Sequence, residues 1–267
     1  MQANPPEKVT RRIAVILGPG RSSRNLLDMA APLLGKDRAM EMQGLFVEEA
    51  ELRHAAALPF VKELCRVTFS VREFNSDQFE QALALRMRTA QRALGLLARR
   101  AGVSHSFRNV RGSADLLLRE AVNQSDITIF EPAGMLAAAM GPGARSGSRS
   151  GRIVVYIGDL ETVAGPLVAA SQLAQGDMRR ISVLVSRRTA DERLELEKLL
   201  RSLLPSRPGR MQVLADPDAE SLITSIRAEN PGMLVLAATS AMLRAEFLAD
   251  LSKRLRCPIC LVRFWGN

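Results

Sequence analysis

The chain has 267 residues, of which 47% are apolar, 24% charged and only 4% aromatic, and its formal net charge is +9. That balance is globular, the length allows one large domain or two ordinary ones, and no apolar run reaches the roughly 18 to 20 residues of a membrane helix. The basic surplus invites an anionic partner. Its Lys and Arg are interspersed with carboxylates along both halves, however, and one Trp and one Tyr make no stacking platform for single strands, so nucleic acid is not the expected partner.

In chain order, residues 1–10 carry no apolar core after their charges, so no secretory signal is read there and a disordered tail and a cytoplasmic address are expected. "RRIAVILGPG" then reads as a strand running into a glycine turn. A helix follows, with Leu26, Leu27, Ala30, Leu33 and Leu34 at helical spacing. "MEMQGLFVEE" is the second strand. An insertion of about 48–76 begins with "AELRHAAALPFVKELCR", read as an amphipathic helix broken near Pro59. A long helix is expected from about Asp77 to Arg100, then a third strand, then the helix, turn and strand of "GSADLLLREAVNQSDITIF". The Gly/Ser/Arg-rich stretch 141–151 reads as a linker.

The pattern then starts again. "GRIVVYIGDL" repeats the opening phrase, and Val163, Leu167, Val168 and Leu173 mark a helix after it. "RRISVLVSRR" is the second strand, and "PDAESLITSIRAENPGMLVLA" matches "GSADLLLREAVNQSDITIF". Alternation of this kind builds a parallel sheet with helices on both faces. Only the second half adds an ending, "SAMLRAEFLADLSKRLRCPICLVR", a helix and a fifth strand.

Two copies of this pattern, closed by "RCPICLVR", resemble a tandem universal stress protein from about Arg11 to Arg263. The resemblance implies an α/β chain of two Rossmann-like, adenine nucleotide alpha hydrolase-like parallel-sheet domains, 11–140 and 152–267, paired as a pseudo-dimer. It also implies that the first domain lacks its fifth strand. Many members of that family bind ATP over the carboxyl ends of the strands, through an Asp after the first strand and a G-x2-G-x9-G-[S/T] pattern after the fourth. Gly18 and Gly158 stand at the aspartate position here, Asp159 comes one residue late, and the second half has no glycine after its fourth strand. In the first half, Gly134, Ala137, Gly147 and Ser148 keep the spacing with Ala at the middle Gly, in a segment so rich in glycine that coincidence also explains the match. Gly18, Gly20, Arg21 and Ser22 form a second candidate, since a glycine turn opening a helix offers free amides to an anion; a simple helix cap accounts for the same residues.

Other chemistry is thin. Cys257 and Cys260 form a CxxC that falls on a strand, where residues three apart face opposite ways, so a buried structural role is expected rather than a redox pair. His54 and His105 lie in no metal-ligand spacing, and Glu48, Glu49 and Glu51 read as a solvated helix start. The expected function is a non-catalytic module of a stress or regulatory response, acting through a protein partner, a second copy or a small ligand. The alternative is an adenine-nucleotide (ATP or AMP) binder, or slow ATPase, using the first domain alone.

Overall fold

The computed structural model describes residues 11–18, 23–35, 39–64, 68–132, 151–215 and 219–263. The first half runs β1 (Arg11–Leu17), α1 (Ser23–Ala30) with a 3-10 turn (Ala31–Leu34), β2 (Met40–Glu49), α2 (Ala50–Ala56), a hairpin of β3 (Lys62–Leu64) and β4 (Val71–Glu73), α3 (Ser76–Ala101), β5 (Ser104–Gly112), α4 (Ala114–Gln124) and β6 (Ile127–Phe130). The second half runs β7 (Arg152–Ile157), α5 (Ala164–Leu173), β8 (Ile181–Ser186), α6 (Arg187–Asp191), α7 (Arg193–Leu203), β9 (Arg210–Leu214), α8 (Ala219–Ala228), β10 (Pro231–Ala237), α9 (Ala245–Arg254) and β11 (Ile259–Val262).

Among the described residues, nine strands form one sheet in the order β5-β2-β1-β6-β11-β10-β7-β8-β9. All neighbours are parallel except β6 and β11, which pair antiparallel with Ile259 opposite Phe130 and Val262 opposite Ile127. Each half therefore has its first strand between its second and fourth. The place beside β6 is filled by β11 of the other half, so the apolar edge of β6 is not left open to other chains. The seam is fastened at its end as well. The Arg263 amide donates to the Asp126 carbonyl at 2.8 Å, and the Arg263 guanidinium donates to the Asn123 carbonyl.

Strand residues alternate between two cores, as period-two side chains must. Ile13, Val15, Ile153, Val155, Val183, Val235 and Cys260 meet α1, α3, α5 and α7 on one face, in a single cluster that spans both halves. Val154, Leu184, Leu234, Ile259 and Leu261 meet α4, α8 and α9 on the other. The insertion differs from the sequence reading, whereas the long helix after it forms as expected. After α2 ends at Ala56, the segment beyond Pro59 is not a helix but enters the β3–β4 hairpin, with Leu64 opposite Val71. Pro59 removes a helical amide, and the β-branched Val61 beyond it suits an extended chain. The long helix begins at Ser76, where the Asn75 side chain accepts from the Gln78 amide at 2.9 Å, and stops at Gly102 in the left-handed conformation, φ 70°.

The basic residue that opens each repeat phrase also has a physical role. Arg12 donates through Nε to Glu41 on β2 at 3.0 Å, and Glu41 also accepts from Ser106 on β5. At the matching place in the second half, Arg152 on β7 donates to Glu229 at 3.0 Å, Ser182 on β8 donates to it at 2.9 Å, and Arg210 on β9 lies 2.8 Å from it. In each half, one carboxylate ties together the starts of three strands.

Candidate functional site

The carboxyl ends of the strands are where an open α/β sheet places ligands. In the second half, the turn after β7 is occupied by its own side chains. The Asp159 carboxylate accepts from the Glu161 amide at 2.9 Å, and the Gly158 carbonyl accepts from Ser186 Oγ at 3.2 Å. Helix α5 opens at Val163, which is buried and makes no side-chain cap. Here Asp159 holds a turn together rather than facing a phosphate.

The turn after β10 is closed in the same way. The Ala238 amide donates to the Val262 carbonyl at 2.8 Å, that of Thr239 to Ala237 at 2.9 Å and that of Leu243 to Thr239 at 2.9 Å. The Met242 amide donates to Thr239 Oγ1 at 3.4 Å. Met242 and Leu243 pack against the core of that face. A phosphate cradle needs unspent amides aimed outward, and these four are spent within the fold.

In the first half, Gly18 is partly buried directly after β1. Gly20, Arg21, Ser22, Gly134, Ala137, Gly147 and Ser148 lie outside the described residues, as do the tail 1–10, most of the linker 141–151 and Cys65. What the described residues place at this end of the first half is a carboxylate cluster. Glu48, 5% exposed, accepts from Asn109 Nδ2 at 2.5 Å, from Arg111 Nε at 3.0 Å and from Arg53 Nε at 3.0 Å. Arg53 reaches on to Glu80 of α3 at 2.9 Å. Burial alone would raise the Glu48 carboxyl pKa. The hydrogen bonds from Asn109 and Arg111, with the charges of Arg53 and Arg111, outweigh it and hold the group below its ordinary value of 4.5.

Glu48 is therefore not part of a solvated helix start. Strand β2 runs on to Glu49, which puts Glu48 opposite Arg111 in the ladder. The alternation in "RNVRG" on β5 was the available signal, because Asn109 and Arg111 share one face of that strand. Chemically the cluster is a clamp: all three donors converge on the carboxylate and fasten α2, β5 and α3 to the end of β2.

Cys260 lies on β11 and Cys257 just before it, and the two are buried in different cores, Cys260 with Val155 and Val235 and Cys257 with Leu234 and Leu261. Both are free thiols, and burial pushes each pKa up to about 12. His54 is exposed on α2, and His105 on β5 lies against Gly95 of α3. Among the described residues no group of three or more His, Cys, Asp or Glu is placed to hold a metal ion, and no helix is long and apolar enough to cross a membrane. A cavity of 420 Å³ opens between α1 with its 3-10 turn and the starts of β7 and β10, lined by Asp28, Met29, Pro32, Leu173, Arg180 and Met233.

The insertion projects a second kind of surface. Phe60 is 90% and Phe69 77% exposed, and Leu58, Leu64 and Val71 are each more than half exposed. Arg72–Glu63 at 2.7 Å and Lys62–Glu73 at 4.0 Å staple the hairpin, and Phe74 packs against Phe79 of α3 with ring centroids 5.6 Å apart.

No family model matches the sequence, and no curated protein matches it. Among solved structures, the chain is similar to a protein of unknown function from Pseudomonas aeruginosa, at 11% identity and TM-score 0.47, over 96% of this chain and 93% of that one. It is also similar to a universal stress protein from Archaeoglobus fulgidus, at 10% identity and TM-score 0.46, over 94% of this chain and 96% of that one.

Proposed function

We propose that this chain is a non-catalytic binding module that acts through a protein partner. The exposed apolar hairpin carries this reading. Clustered exposed apolar residues mark interaction sites, and here Leu64 and Val71 pair across a stapled hairpin, with Phe60 just before β3 and Phe69 just before β4, all more than half exposed. The spent amides after β10 argue against a phosphate cradle in the second half, so the adenine-nucleotide alternative rests on the first domain alone. A stress or regulatory setting follows from the resemblance alone.

The test uses the full chain and a Phe60→Ser/Phe69→Ser variant of equal melting temperature. Cross-linking in extract from the source cells should give a protein adduct with the first and not with the second. Sedimentation of the purified chain separates a second copy from a different partner. Magnesium ATP at millimolar concentration should leave the melting temperature unchanged, since a ligand of the folded state raises it. Identical adducts from both proteins would overturn the partner reading. A melting shift with ATP that Arg21→Ala abolishes would establish the alternative, with phosphates at Gly18, Gly20, Arg21 and Ser22.

A further inference from the structure

We propose that the outer edge of β9, with the arginine-lined groove beside it, binds an extended acidic peptide that adds to the sheet as a further strand. This surface is distinct from the insertion hairpin and lies at the far edge of the second half. Strand β9 ends the sheet and has β8 as its one neighbour among the described residues. Such an edge offers a row of backbone donors and acceptors to another chain. Strand addition takes its affinity from those groups and its specificity from pockets that receive alternate side chains.

Both features are present. Met211 and Val213, two apart and therefore on one face, are 48% and 51% exposed. A groove of 450 Å³ opens beside Met211, with an apolar floor that includes Leu200 and Leu204 and a rim that includes Arg193, Arg201 and Arg207. Alternate apolar side chains of an added strand would enter this groove, and the residues between them would meet the rim.

The rim selects charge. Glu197 accepts from Arg193 Nε at 3.1 Å and Arg201 Nη2 at 3.3 Å, and Arg207 also lowers its pKa by its charge. Three guanidinium groups thus surround one carboxylate and leave a surplus of positive charge. Arg193 and Arg201 are 81% and 71% exposed, so both reach an incoming ligand. A second copy of this chain carries a net charge of +9 and meets repulsion here, whereas a peptide alternating acidic and apolar residues matches rim and floor together.

The experiment uses three fluorescein-labelled octapeptides and the full chain. One alternates Asp and Leu, one has the same composition in two blocks, and one alternates Lys and Leu. Anisotropy should show salt-sensitive binding of the alternating acidic peptide only. The double variant Arg201→Glu/Arg207→Glu should weaken it by at least about tenfold, and so should Met211→Asp. Both variants are checked for an unchanged melting temperature. Hydrogen exchange of the bound full chain should slow at the amides of β9. Equal binding of the block peptide, no loss in the variants, unchanged exchange at β9 or no binding at 1 mM would each overturn the proposal. A dimer of the free chain that Met211→Asp dissolves would overturn it as well, by assigning the edge to a second copy.

Discussion

Glu229 shows how much can rest on one side chain. Its carboxylate is 2% exposed and faces Arg152, Arg210 and the Ser182 hydroxyl. Glu229→Ala would leave that hydroxyl buried without its acceptor and two half-exposed guanidinium groups side by side. The expected loss is about 3 kcal/mol, at the low end for breaking a buried pair because both arginines reach water; chemical denaturation measures it. Glu48 adds a dependence on pH. Its folded pKa lies below the ordinary 4.5, so in that window the unfolded chain binds more protons than the folded one. The stabilisation from its ionised form is complete above about 4.5 and is lost as pH falls through the depressed folded value. A Glu48→Gln variant should show a shallower fall in stability below pH 4.5 than the wild type, read from melting temperatures at several acidic pH values. Cys257 and Cys260, with pKa values pushed up to about 12, hold almost no thiolate at neutral pH. In a Cys65→Ser background, neither should react with a thiol reagent until the protein is unfolded. A disulfide between them after mild oxidation would contradict their burial in different cores.

At the level of elements, β11 has more neighbours than its place in the sequence suggests. It pairs in parallel with β10 and antiparallel with β6, and its four residues are all buried. Residues 1–150 alone therefore present β6, whose Ile127 and Ile129 are fully buried in the whole chain, as an open edge with no partner strand on that side. Aggregated or poorly folded material is expected, and light scattering or gel filtration checks it. A monomeric fragment that melts cooperatively would show that the first half does not need β11. The two outer strands behave differently. β5 is guarded by charges such as Arg108 and Arg111, whereas β9 shows Met211 and Val213 to solvent.

Over the whole molecule, the two halves are joined by the sheet and by the cores on both of its faces, each of which draws residues from both halves. Helix α5 packs on β10, β11 and the 3-10 turn of the first half, and the larger core cluster includes residues from Ile13 to Val262. The halves run in opposite directions across the β6–β11 seam, so the carboxyl ends of their strands lie at opposite edges of the sheet. Any ligand of one half is thereby separated from that of the other. The insertion hairpin and the β9 edge belong to different halves, and each is available to a partner of its own.

Local pattern was enough for the order of elements. Runs of Ile, Val and Leu ended by Gly, helical spacing of Leu and Ala, and the repeated opening phrase all reflect preferences set within a few residues, and the strands and main helices form where those preferences place them. The β3–β4 hairpin escaped because a short apolar stretch around a proline suits a broken helix and an extended chain equally well; the pairing of Leu64 with Val71 and the Arg72–Glu63 ion pair decide. The partners of charged residues escaped for a different reason. Arg12 and Glu41, Arg152 and Glu229, and Glu48 and Arg111 are far apart in sequence, and only the register of the sheet brings them together. Which turn amides are spent also depends on tertiary contacts, since the Ala238 amide finds its acceptor at Val262 on a neighbouring strand. The sequence by itself determined the strands of the main sheet, the main helices and the missing phosphate glycines of the second half. Only the folded chain decided that β11 would close the first half, because strand pairing depends on which edges meet in space, which residue order does not specify.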